Sequence, residues 1–191
     1  MRQNTVVLTS LTPWRLIFTH PRQAMRRVLP TPPIIARVAT LLTLFILVGA
    51  LEAVAEDGAD AWVGGALGGM IGSFIGVYLG GLMSGVIARL LGGHAAWHEQ
   101  RLAVAWGVVP SYALGIVVAI ISLATHALSG NSVPEALQTT FIIIGMLWSL
   151  GTTSLTLAET NAFSVGKGLV AALAPCLLIG LALLWTAVST L

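Results

Sequence analysis

From residue 34 onward, long apolar runs alternate with short polar breaks. The runs fall at about 34–55, 62–91, 102–128, 134–158 and 163–191, and each reaches the roughly 20 residues that a helix needs to cross a bilayer. The pattern predicts an all-α integral membrane protein with five transmembrane helices. The second run is longer than a perpendicular crossing requires, which predicts tilt or projection beyond the membrane. Pro110 and Gly115 predict a kink in the first third of the third run, and Pro175 falls inside the fifth.

Residues 1–33 are patterned differently and form a separate segment ahead of the transmembrane domain at 34–191. Arg2, Arg15, Arg22, Arg26 and Arg27 alternate with Trp14, Ile17, Phe18, Met25, Val28 and Leu29. Thr12 before Pro13 is a helix start, and Thr19 to Pro21 offers a second. Two short amphipathic helices are therefore expected in the headgroup region, apolar faces down and arginines toward anionic lipid. Trp14, Arg15, Phe18, Arg22, Arg26 and Arg27 are the expected lipid contacts. Pro30, Pro32 and Pro33 make a stiff elbow before the first span.

Within the second run, glycine recurs at Gly64, Gly68, Gly72, Gly76 and Gly80, with a partial second row at Gly65, Gly69, Gly81 and Gly85. In water, each would cost about 1 kcal/mol against alanine in a helix. In hydrocarbon the backbone must close its hydrogen bonds within the helix, so glycine becomes a surface that another backbone can approach closely. The strict row is expected to be the packing face, either against the hydroxyl-rich fourth span (Ser149, Thr152, Thr153, Ser154, Thr156) or against the third. A seam between copies and a lumen-lining helix are the alternatives.

Composition supports the membrane reading. Hydrophobic residues make up 57% and charged residues 8%, with a mean hydropathy of +0.93, whereas soluble domains carry about 25% charge. The distribution of charge says more than its net value of +2. All nine Lys and Arg fall in segments that can share one side of the membrane, while Glu56, Asp57, Asp60 and Glu135 belong to loops on the other. That asymmetry places the amino terminus in the cytoplasm and the carboxyl terminus outside. Trp14, Trp62, Trp97 and Trp185 fall near the expected interfaces, as an aromatic belt requires. The amino-terminal stretch lacks the form of a cleaved signal peptide, and the first apolar run reads as a retained span.

Candidate chemistry is sparse. No Asp, Lys or Arg falls in the middle of a run, which disfavours a proton-coupled pump. A phosphate-binding GxxxxGK[ST] loop, an HExxH and a GxSxG are absent, so no catalytic residue and no cofactor is expected. Cys176, the single cysteine, reads as a small packing residue. The loop after the second run is the richest site, combining Arg89, His94, His98 and Arg101 with Glu159 and Lys167 from the loop after the fourth. On a helix His94 and His98 would share a face, making them weak metal candidates that lack a spaced third ligand. Glu159 is expected to pair with Arg89, Arg101 or Lys167, and Glu52 to snorkel toward water.

Four segments carry a family resemblance: Pro13-Trp14-Arg15-Leu16-Ile17-Phe18 through His20-Pro21, Ile87 to His94, Ala103-Val104-Ala105-Trp106 to Val109-Pro110, and Ala158 to Gly168. In order and spacing they resemble the Yip domain family, named for interaction with Ypt/Rab GTPases. The resemblance implies a five-helix membrane domain with a cytosolic amino terminus. The Asp-Leu-Tyr-Gly-Pro motif of the eukaryotic members is absent, and the chain is similar to the short bacterial type, which implies a bacterial inner-membrane location. The expected role is non-enzymatic: a membrane-organising or scaffold factor whose partners are anionic lipid headgroups and other proteins, a second copy of itself among them, and not nucleic acid. The alternatives are a small oligomeric permease or channel that moves at Pro110 and Pro175, and a metal- or headgroup-binding site around His94, His98 and Glu159.

Overall fold

Proline starts both short helices of the basic segment. In α1 (Thr12–Thr19) and α2 (Pro21–Val28), Pro13 and Pro21 occupy the first turn, where the missing N–H has no intrahelical partner to lose. The apolar runs become α3 (Ile34–Asp57), a rod built from α4 (Trp62–Phe74), a π-helical turn (Ile75–Leu79) and α5 (Gly80–Leu90), the pair α6 (Trp97–Gly107) and α7 (Val109–Ser129), then α8 (Glu135–Thr160) and α9 (Val165–Ser189). The computed structural model describes residues 12–30, 34–130 and 133–189, all of them helix, turn or loop. Among the described residues, four helical stretches are long and apolar enough to cross a membrane, and a shorter apolar stretch runs from Val165 to Leu178. This is the all-α membrane architecture that the apolar pattern predicts. Arg2, the elbow prolines Pro32 and Pro33, and Leu191 lie outside the described residues.

The first correction concerns α1 and α2. Their apolar face is seated on protein: Ile17, Ala24, Met25 and Val28 are 0% exposed and join a core with Leu102 and Leu157. Trp14 lies 4.7 Å from Trp106, and Phe18 meets Trp148 edge-on at 5.8 Å. Lipid tails would satisfy the same apolar side chains, so the preference for protein comes from close packing and from the polar contacts at the rim.

The second correction concerns the glycines. A Cβ added at Gly64, Gly68, Gly72 or Gly76 would meet nothing within 4 Å, and at Gly80 only Val104 at 3.8 Å. Within the monomer the expected packing row faces outward, and the partial row is the seam. At Gly69 an added Cβ would lie 3.0 Å from the Phe45 carbonyl, at Gly49 2.8 Å from Gly69 Cα, and at Gly65 it would collide with Ala53 and the Gly49 carbonyl. Here α4 packs on α3, the first span. Farther along, Gly81 sits against Arg101 and Gly85 against Trp97, so α5 packs on α6, in the third apolar run. The fourth span does not fill this seam.

The hydroxyl-rich face of α8 serves a different junction. The third run breaks at Val108, two residues before Pro110, and divides α6 from α7. Ser111 Oγ donates to the Val108 carbonyl at 2.9 Å, while Ser149 Oγ on α8 accepts from Ser111 N at 3.2 Å. Such side-chain partners let a membrane helix break without orphaned backbone groups. Thr153 packs onto Gly107, leaving no room for a Cβ there, and Thr156 Oγ1 donates to the Ala103 carbonyl at 2.9 Å. Pro175 lies inside α9, which continues through it.

Candidate functional site

The basic residues gather at the end of the bundle where α2, the ends of α5 and α8, and the starts of α6 and α9 meet. Glu159, in the last turn of α8, is the centre of charge. Arg22 Nε donates to its Oε2 at 2.9 Å, Arg26 Nε to its Oε1 at 2.6 Å, and Arg26 Nη2 to Oε2 at 3.4 Å. The carboxylate is 13% exposed, so the two guanidiniums replace water that it has lost. The bond and the charge of Glu159 hold the Arg26 guanidinium above its ordinary pKa.

These partners replace the expected ones. Arg89 stacks over Trp97 with its guanidinium carbon 3.6 Å from the ring centroid, and Arg101 lies over Tyr78 at 4.8 Å. Lys167 Nζ donates to the Leu91 carbonyl at 2.9 Å, capping the open end of α5 where a cation is favoured. Arg15, like His94, His98 and Lys167, is exposed, and Trp14 and Phe18 are half-buried.

The histidine pair does not form as expected. The chain leaves α5 at Leu91, Gly92 takes φ +91°, and Gly93 N closes back on the Ala88 carbonyl at 2.8 Å. His94 therefore lies in the linker and His98 in the first turn of α6, so they do not share a helix face. Glu99 is committed to that helix start, its Oε2 accepting from Ala96 N at 2.7 Å. Among the described residues, no group of three or more His, Cys, Asp or Glu is placed to hold a metal ion.

Beneath the charges is a contact the sequence reading missed. Gln100 Nε2 donates to Asn161 Oδ1 at 2.7 Å, Asn161 Nδ2 returns a bond to Gln100 Oε1 at 3.3 Å, and both residues are buried. Asn161 belongs to the turn after α8, where Ala162 adopts φ +54° and Phe163 N bonds the Ala158 carbonyl at 2.7 Å. A Cβ at Gly93 would lie 2.5 Å from Asn161 Oδ1 and 2.7 Å from Phe163 Cζ. Two helix-ending turns are thus pressed together, with the amide pair as the seal. Gln100 follows Glu99 and precedes Arg101, and Asn161 follows Glu159 and Thr160, so no local pattern set the two amides apart from solvated loop residues.

The four segments that carry the resemblance meet in pairs. Trp14 of the first lies on Trp106 of the third, and Gly93 of the second lies on Asn161 and Phe163 of the fourth. No curated protein and no solved structure matches the chain significantly. The Yip1 domain model matches residues 14–187, from Trp14 in α1 almost to the end of α9. On that match over most of its length, the chain belongs to the Yip1 domain family.

Proposed function

We propose that the protein is a non-enzymatic membrane-organising or scaffold factor of a bacterial inner membrane, with its basic end in the cytoplasm. The observation that carries this reading is the fastening of the basic segment to the bundle through Arg22, Arg26 and Glu159. A flexible basic tail gathers lipid loosely; a fastened one holds the exposed Arg15 at a fixed place, and Arg89, His94, His98 and Lys167 are exposed as well. Each arginine or lysine near an anionic leaflet is worth about 1 kcal/mol. The outward row Gly64, Gly68, Gly72 and Gly76, flanked by exposed Leu67, Ile71 and Ile75, adds a surface suited to a helix of a second copy.

Lipid analysis of protein extracted from its own membrane in mild detergent tests the reading. Retained lipid is expected to be enriched in anionic phospholipid over the bulk membrane, and Arg15→Gln with Arg89→Gln to reduce the enrichment. Retained lipid of bulk composition, or rapid saturable flux of a defined solute into reconstituted vesicles, would overturn it.

A further inference from the structure

Away from the basic end, α3, α7 and α8 border a half-open cavity of about 300 Å³. Its length follows from α7, whose lining runs from Ser111 to Ser122, eleven residue steps and so about 16 Å of helix. Leu114 and Val118 line that wall, and Phe141, Ile142 and Met146 of α8 face them. The volume is at the lower end for small-molecule sites, about 300–1,000 Å³, and the mix of apolar wall with few polar groups is theirs as well.

Glu52 of α3 is the ionisable acid on this wall. It is not turned away to water as the sequence reading expects. Gly115 of α7 has no side chain, and Glu52 Oε1 occupies the space that a Cβ there would need. Tyr112 lines the cavity beside it and stacks on Phe45 at 3.9 Å with ring planes 15° apart, which fixes its orientation. Ser122 and Gln138 add hydroxyl and amide oxygens, and none of the described lining residues is Lys, Arg or His. A carboxylate beside aromatic faces and neutral oxygens favours a cation, and an acid lining a cavity at membrane depth marks a functional position. The aliphatic stretch along Val118 and Ile142 favours a tail attached to that cation.

We propose that this cavity binds an ammonium compound with an aliphatic chain, its ammonium group at the Glu52 carboxylate and its chain along Val118 and Ile142. The ammonium group of an ethanolamine lipid and that of a free amine share this chemistry.

The purified chain in detergent tests the site, with hexylammonium as the probe and hexanol as its uncharged counterpart. Calorimetric titration is expected to show saturable hexylammonium binding that is about tenfold or more tighter than hexanol, because only the ammonium can pair with the Glu52 carboxylate. Glu52→Gln is expected to remove that advantage. Ser122→Leu, which narrows one end of the cavity and leaves the carboxylate in place, is expected to weaken binding. Circular dichroism checks that each variant is folded, and if neither is, the comparison with hexanol decides. In nanodiscs, weaker hexylammonium binding when phosphatidylethanolamine replaces phosphatidylcholine, which is equally zwitterionic but has no N–H to donate, assigns the site to the lipid headgroup; equal binding assigns it to a free amine. Hexylammonium that binds no tighter than hexanol, or that is indifferent to both substitutions, overturns the proposal.

Discussion

Arg26 Nε donates to Glu159 Oε1 at 2.6 Å across a sequence separation of 133 residues. With Arg22 Nε on the other carboxylate oxygen at 2.9 Å, the contact makes the short basic helices part of the bundle. It ties α2 to the end of α8, so its strength sets how firmly the basic segment is held.

Removing the carboxylate should release the segment. Glu159→Gln is expected to increase protease cleavage within residues 12–30, and Arg22→Gln with Arg26→Gln to do the same. Combined, the three substitutions should do little more than either set alone, because each breaks the same contact. Salt at about 1 M, where the screening length falls to about 3 Å, should move the unsubstituted protein toward the same pattern. Fully additive effects would show that the residues act independently.

Neighbouring glycines should respond oppositely. Gly69→Leu forces a side chain between α4 and α3 and is expected to cost at least about 1–3 kcal/mol of stability. Gly68→Leu and Gly72→Leu project into open space and should leave the fold of the monomer within about 0.5 kcal/mol. If a second copy docks on the outer row, the latter two abolish self-association while thermal unfolding barely changes. Unfolding midpoints and light scattering in mild detergent separate the two results.

The buried amides form one unit. Asn161→Leu leaves the Gln100 amide without its partner and is expected to cost about 1–3 kcal/mol. Adding Gln100→Leu should recover part of that loss, since an apolar pair leaves no buried polar group unsatisfied. A double variant as unstable as the sum of the singles would contradict the pairing.

For the histidines, the expectation concerns metal content. The purified protein and a His94→Ala, His98→Ala variant should contain equal zinc by elemental analysis, because the two side chains lie on different local structures and no third ligand joins them. Stoichiometric zinc lost in the variant would refute this.

The apolar runs and the helix starts at Pro13 and Pro21 were legible because a bilayer sets a length and proline permits few positions. The inward glycine row was not. Gly64 and Gly65 begin rows of the same period, and hydrophobicity cannot tell them apart when lipid is as apolar as the protein interior. The partner of Glu159 was equally hidden, since the choice among Arg22, Arg26, Arg89, Arg101 and Lys167 depends on which helix ends adjoin. The failure of the histidine pair did have a signal. Gly92-Gly93 ends α5 through a positive φ at Gly92, and reading that turn would have moved His94 out of any helix.

The π-helical turn at Ile75–Leu79 has a further consequence, which is one of phase. The inward row runs through Gly65, Gly69, Ser73, Val77, Gly81 and Gly85, and it exchanges α3 for α6 on the way. On an α-helix, positions four apart advance about 40° per step, so the row winds around the rod; the wider turn takes back part of that rotation. Deleting one residue there, so that ordinary helix is restored, would swing α5 by about 100° relative to α4. Gly81 would leave Arg101 while Gly65 stayed on α3. The number of residues in that short segment, more than the identity of any side chain in it, sets the azimuth of each half of the rod.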